Sequence, residues 1–174
     1  MQTLIAAFAF AAHKHRDQRR KDASASPYIN HPIALAQVLA NEGGVLEEPV
    51  LAAAALHDTI EDTQTSPAEI EAAFGKAICD IVLEVTDDKR LPKHERKRLQ
   101  IEHAAAISRE AKLVKLADKI CNLRDVASHP PAGWSRERRL EYFDWAKAVV
   151  DRLRGVHPGL EALFDRAWEA RAHL

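Results

Sequence analysis

The segment Leu51 to Thr63 (LAAAALHDTIEDT) sets a run of alanine and leucine against four chemically capable side chains: His57, Asp58, Glu61 and Asp62. On a continuous helix His57 and Glu61 are four apart and share a face, and Asp58 and Asp62 do the same one step round. Three carboxylates this close repel one another. Burying them without a counter-charge costs on the order of several kcal/mol each. A divalent cation is the simplest compensation. The other reading is that the helix merely ends and these groups stand in water. Carboxylates at a helix C-terminus oppose the macrodipole, however, so their placement there calls for a reason.

Two further residues join this set. Asp118 lies in KLVKLADKICNL at 112–123, where Leu113, Leu116, Ala117, Ile120 and Leu123 form the core stripe. Lys115, Asp118, Lys119 and Asn122 occupy a neighbouring polar face, where Asp118 alone reads more readily as an i,i+3 ion-pair residue than as a ligand. His31, in YINHP at 28–32, alone reads equally as a surface residue of a first helical turn. Together His31, His57, Asp58 and Asp118 supply two imidazoles and two carboxylates from three helices. That donor set suits Mn²⁺, Fe²⁺ or Zn²⁺ with positions left for water and substrate, and its lack of thiolate argues against a structural zinc.

The elements that must position these groups read as helices throughout. Residues 3–20 form an Ala-rich helix that turns basic at its end, and 22–27 (DASASP) a loop. Asn30 caps a second helix with Pro32 in its first turn, stopped by Gly43-Gly44. Pro49 opens a third. Ser66-Pro67-Ala68-Glu69 is a capping box, and Gly75 ends that helix. Further helices span about 78–86, 94–106 and 111–125. Ser135 caps an aromatic-rich one, and Pro158-Gly159 precedes the last. No period-2 alternation persists, so residues 1–174 read as one all-α domain, a compact helical bundle.

Bulk properties narrow the function. The 174 residues are 47% hydrophobic and 29% charged, which fits a globular protein. A net charge of −1, from 25 basic and 26 acidic residues, gives no global field for nucleic acid or anionic membrane. Nine histidines hint at metal or acid–base chemistry, although most are expected on exposed helix faces. Cys79 and Cys121 sit in apolar helical patterns as buried reduced thiols. The apolar run Leu4–Ala12 has no preceding basic residue and is followed by HKHR, so it reads as a buried helix start and not a signal peptide. No run reaches the roughly 18 apolar residues of a membrane span. A cytoplasmic protein is expected.

The order of motifs resembles the HD superfamily of metal-dependent phosphohydrolases. It is most similar to the (p)ppGpp hydrolase domain of Rel/SpoT proteins and to the stand-alone small alarmone hydrolases typified by the metazoan SpoT homologue. The carrying segments are RRKD at 19–22, PYINHP at 27–32, ALHDTIEDT at 55–63, VTDDKRLPKHERKRLQ at 85–100, AKLVKLADKICNLRD at 111–125, GWS at 133–135 and EYFDWA at 141–146. The resemblance implies an HD-type helical bundle in which His31, His57, Asp58 and Asp118 hold a metal, Mn²⁺. It implies that Glu61 and Asp62 position or deprotonate the attacking water. Arg20, Lys21 and Lys93 would face the substrate phosphates, and Asn122 and Tyr142 would line the ribose and base pocket. The partner implied is a guanosine nucleotide, and the activity is hydrolysis alone, because the chain has no room for the synthetase and regulatory regions of the long enzymes.

The chemistry agrees with those roles. A Lewis-acidic cation lowers the pKa of water from about 15.7 toward about 7, a carboxylate can accept the proton, and cations stabilise the transferring phosphoryl group. Arg20 suits bidentate phosphate contact, while Lys21 and Lys93 act as point charges. Lys93 lies in a run with Arg96, Lys97 and Arg98 that also reads as a solvated helix face, and Tyr142, beside Phe143 and Trp145, also reads as core. Three rival functions stay open at this point: another nucleotide substrate such as NADPH, a silent module whose metal only joins helices, and a DNA-binding helical domain. The Glu61-Asp62 pair speaks against the second, and the near-neutral chain against the third.

Overall fold

Proline, glycine and short polar side chains decide where the helices of this chain begin and end. In the computed structural model, which describes residues 1–174, the regular structure is helical and no strand forms. The helices are α1 Gln2–Lys14, α2 Asn30–Gln37, α3 Glu48–Leu56, α4 Thr59–Asp62, α5 Pro67–Phe74, α6 Lys76–Val85, α7 Lys93–His103, α8 Arg109–Ser128, α9 Arg136–Asp151 and α10 Pro158–Glu169. The all-α expectation holds. Ser66, Ser108 and Ser135 each accept a backbone N–H three residues on, which starts α5, α8 and α9. Beyond α2 the chain loosens into a π-helical turn, Val38–Glu42, and leaves it through Gly43 and Gly44, the latter at φ +69°.

Two expectations fail at the N-terminal end. The first helix stops at Lys14 and not near residue 20. The backbone groups of 18–20 find partners across the loop instead: Arg20 N–H donates to Ser26 O at 2.9 Å, and Tyr28 N–H to Gln18 O at 3.2 Å. This two-sided pairing satisfies the groups a longer helix would have satisfied, and it places Arg20 beside the YINHP segment. Asn30 does not cap α2. Ile29 is already in helical conformation, φ −57° and ψ −22°, so Asn30 falls one step inside.

Helix α3 explains how a site can be placed in the interior. Residues Val50 to Leu56 are all buried, as expected for a helix apolar on every side. Its four consecutive alanines let neighbours approach, and α1, α2, α6 and α8 all pack on it. One cluster of 37 buried residues runs from Ala7 to Ala167, so the core reaches from α1 through α10. No helix is long and apolar enough to cross a membrane.

Candidate metal centre and cleft

Three elements bring the candidate ligands together: the first turn of α2 carries His31, the junction of α3 and α4 carries His57 and Asp58, and the middle of α8 carries Asp118. The continuous helix expected through Thr63 is interrupted here. Helix α3 ends at Leu56, His57 and Asp58 form a turn, and α4 restarts at Thr59. Thr59 Oγ1 donates to Leu56 O at 2.7 Å and closes the break. On an unbroken helix successive side chains diverge by roughly 100°. The turn instead leaves the His57 and Asp58 side chains in contact, with His57 Nε2 2.8 Å from Asp58 Oδ2.

The ligand atoms of His31, His57 and Asp118 all lie within 4.8 Å of one another. His31 Nε2 is 3.1 Å and His57 Nε2 3.9 Å from Asp118 Oδ1. Asp58 stands beside this group of three, against His57, and its carboxylate accepts a hydrogen bond from the Tyr28 hydroxyl. Each ligand is also oriented from behind. His57 Nδ1 donates to Ala54 O at 2.8 Å, which turns Nε2 toward the acids. Asp118 accepts from Asn122 Nδ2 at 2.6 Å and from Lys119 at 3.0 Å.

The electrostatics ask for a cation. Burial works against a charged His57, yet Asp58 and Asp118 outweigh it and push the imidazole up to about 9. Burial also works against Asp118, but Lys119 and His31 hold its carboxyl well below the usual range. Burial draws the second imidazole, His31, down. The pocket therefore gathers one proton onto His57. Even so, His57 Nε2 is buried without a well-formed hydrogen bond, although two carboxylates lie within 4 Å of it. A buried imidazole nitrogen that converges with carboxylates and lacks a well-formed hydrogen bond fits a divalent ion taking the place of its proton, and the N/O donor set fits one of borderline hardness.

Glu61 and Asp62 follow on α4. Glu61 Oε2 accepts the Asp87 backbone N–H at 3.1 Å, and Arg96 lies 3.5 Å from Oε1. Burial, reinforced by the Asp58 charge, pushes Glu61 up to about 7. A carboxyl held near neutrality is suited to accept and return protons at working pH. Asp62 is gripped from two sides, by Gln18 Nε2 at 2.8 Å and by the Lys89 ammonium.

A cleft of about 880 Å³ opens over His31. Of the five residues expected to meet substrate, Arg20, Lys21, Asn122 and Tyr142 line it. Arg20 is fixed by Asp125 at 2.6 Å. Tyr142 is not simple core: it packs between Trp134 and Trp145, with ring centroids at 5.5 and 5.3 Å, and faces the cleft. Lys93 is exposed at the start of α7 outside the lining, where burial and the charges of Arg138, Lys21 and Arg96 lower its pKa.

Several contributors were given no role by the sequence, although all but Gln18 fall inside the segments that carry the resemblance. Tyr28, Gln18, Asp125 and Trp134 line the cleft or hold its acids. The lysines of α8 overturn an expectation outright. Lys115 and Lys119, read as part of a polar face beside the core stripe, are buried, 7% and 4% exposed. Lys119 is drawn inside by its pairing with Asp118 and by the Trp145 ring 4.5 Å away. Five of the nine histidines are exposed, while His15 is buried with His31 and His57. Both cysteines are buried and unpaired.

Comparison with known proteins agrees with this geometry. The Xenopus tropicalis guanosine-3′,5′-bis(diphosphate) 3′-pyrophosphohydrolase MESH1 is 56% identical over 162 residues, 93% of this chain and 90% of its own length. The Homo sapiens protein of the same name is 53% identical over 168 residues, 97% of this chain and 94% of its own. A solved structure described as a metazoan ortholog of SpoT that hydrolyzes ppGpp superposes with a TM-score of 0.95 at 50% identity, covering 100% of this chain and 98% of that one. A family model described as the HD domain matches residues 7–144. That span contains the histidine–aspartate turn between α3 and α4 and the aspartate of α8 that it faces, and the chain belongs to the HD-domain family.

Proposed function

We propose that this protein hydrolyses the 3′-pyrophosphate of ppGpp and pppGpp, giving GDP or GTP and pyrophosphate, and that residues 1–174 form a single hydrolase domain. The observation that carries the reading is the joining of a cation-seeking cluster, a carboxyl near neutrality and a cleft with a basic wall. His31, His57 and Asp118 would hold the metal, with Asp58 as a fourth ligand beside His57. Mn²⁺ suits this nitrogen and oxygen set with its open positions. When bound, the ion supplies Lewis acidity, which eases deprotonation of water and offsets phosphoryl charge.

The remaining chemistry belongs to the chain. Glu61 accepts the proton as the oxygen of water bonds to phosphorus, and its elevated pKa keeps that transfer reversible near pH 7. Asp62, held on both sides, orients that water. The bond from phosphorus to the 3′-oxygen breaks, and the departing oxygen takes up the proton that Glu61 accepted from water. Arg20, with Lys21 beside it, binds the phosphates of the nucleotide, and Asp125 keeps the guanidinium aimed. Lys93 acts from the rim as a longer-range charge. Asn122 and Tyr142 form the ribose and base wall, where the aromatic group of Trp134, Tyr142 and Trp145 gives a nucleobase a stacking surface.

Purified protein is incubated with ppGpp and Mn²⁺, and products are followed by anion-exchange chromatography. Release of pyrophosphate with GDP supports the reading. Metal binding without pyrophosphate release rejects the substrate, and a nucleotide panel that includes NADPH, compared by kcat/KM, then ranks the alternatives.

A further inference from the structure

His15 lies just past the end of α1, is 2% exposed, and does not line the cleft. Its Nδ1 is 2.6 Å from Gln18 Oε1, and Gln18 Nε2 is 2.8 Å from Asp62 Oδ2. A side-chain amide has a donor end and an acceptor end, whereas a carboxylate only accepts. Gln18 must therefore present its NH₂ to Asp62 and its oxygen to His15. That oxygen needs a donor, so His15 must carry its proton on Nδ1. His15 Nε2 is then a buried lone pair, and it has no partner. This is the tolerable choice, because a buried unpaired acceptor is commoner in proteins than a buried unpaired N–H. The other grip on Asp62 comes from Lys89, whose side chain is 48% exposed, so the interior hold on this carboxylate is Gln18 alone.

We infer that His15 is a positioning residue for the hydrolysis: its Nδ1–H locks the Gln18 amide in the one orientation that fixes Asp62. The inference rests on the role given to Asp62 above. The local chain supports the relay. The His15 N–H still closes the last turn of α1 on Ala11 O at 2.9 Å, and the Gln18 N–H donates to His15 O at 2.9 Å, so a tight turn holds the two side chains together. The imidazole also stacks on Tyr28, centroids 4.7 Å apart, and the Tyr28 hydroxyl donates to Asp58. The ring thus lies between the supports of two acids, with Nδ1 and not Nε2 directed at Gln18.

The test has two arms. Long-range ¹H–¹⁵N correlation spectra of the whole protein report the tautomer of His15 without any substrate. A signature of Nδ1–H with unprotonated Nε2 supports the inference, and an Nε2–H signature overturns it even if ppGpp is never turned over. The second arm measures kcat, KM, Mn²⁺ affinity and Tm for four variants. Removing an outer-shell partner typically lowers activity by about 10–100-fold. Gln18→Met and His15→Leu should each lower kcat in that range while leaving Mn²⁺ affinity within about threefold. The double variant should be no worse than either single, because both cut the same link. His15→Asn keeps an N–H near the Nδ1 position and should recover most of the loss without recovering Tm. Multiplicative losses in the double variant, or an Asn variant no more active than the Leu variant, mean that His15 serves packing only. Failure of the wild-type protein to release pyrophosphate would refute the substrate reading instead, and the tautomer would still decide the relay.

Discussion

Replacing Asp118 by alanine should do two separable things, and the structure sets the size of one of them. Asp118 is the only acid paired with Lys119, whose ammonium is 3.0 Å away and whose side chain is 5% exposed. Removing one partner of a buried pair costs roughly 3–5 kcal/mol, because the other charge is left uncompensated. Two features pull the figure to the lower end. Lys119 keeps the Trp145 ring at 4.5 Å, a contact worth about 1–2 kcal/mol when desolvated. Loss of Asp118 also relieves its repulsion of Asp58. About 3 kcal/mol is expected, which lowers Tm by roughly 6–12 °C for a chain of this length. The melt is run in EDTA so that no metal term enters. The companion is Asp118→Ala with Lys119→Met, which removes the stranded charge and fills the space under Trp145. It should recover most of the lost stability and none of the Mn²⁺ affinity or turnover. A single variant within about 1 kcal/mol of wild type in EDTA, or a double variant no more stable than the single, would refute the argument that Asp118 answers a buried lysine as well as a metal.

Three further outcomes follow from the same geometry. Glu61→Ala should keep Mn²⁺ affinity within about threefold and lower kcat by about 10²–10⁴-fold; full activity, measured with saturating ppGpp, removes Glu61 from the chemistry. The pH profile of kcat should fall on the acid side, because a carboxyl raised to about 7 is protonated below that pH and cannot accept a proton. A bound cation favours the carboxylate and moves this limb to lower pH, so a limb centred well above 7 would contradict the assignment. Metal binding must displace the proton gathered at His57, which is held up to about 9. The apparent Mn²⁺ affinity should therefore weaken by up to about tenfold per unit as pH falls below that value, and calorimetry in buffers of different ionisation enthalpy should show proton release; a pH-independent affinity between 6 and 8 would exclude His57 as a ligand.

Much of this was legible in the sequence because the decisive signals are local. Ser66 and Ser135 announce helix starts, and the apolar stripe of α8 marks its inner face, while the Ser108 cap of α8 went unread. What escaped was long-range. Nothing in Leu51–Leu56 warns that the helix opens at His57, since the run of alanine and leucine favours continuation and the closing contact is a hydroxyl of Thr59. Lys115 and Lys119 have the spacing of surface lysines, yet both are buried; for Lys119 the partners are Trp145 from α9 and the Asp118 carboxylate. Tyr28 and Gln18 meet acids 30 and 44 residues away, so no window of sequence pairs them. The set His31, His57 and Asp118 could be proposed only by joining three separated motifs, each ambiguous by itself.

The burial of Lys119 beside the proposed metal ligand Asp118 looks self-defeating, since it weakens the field that would attract the cation. Its effect is on the empty state. Asp58 and Asp118 share one pocket, with Glu61 near enough to feel the Asp58 charge. Without internal counter-charge those acids would hold the helices apart until a metal arrived, as in small zinc domains that are unfolded without their ion. Here Lys119 answers Asp118, a proton on His57 answers Asp58, and Arg96 and Lys89 answer Glu61 and Asp62. The core needs no help from the site, because 37 buried residues join α1 to α10 without it. Metal binding then exchanges with a proton in a site already assembled. Its contribution to stability is the mass-action term alone, about 2.7 kcal/mol at a free concentration one hundred times Kd. On the proposed reading the ion would serve chemistry and not folding: the fold presents the site, and loss of metal should silence turnover long before it unfolds the chain.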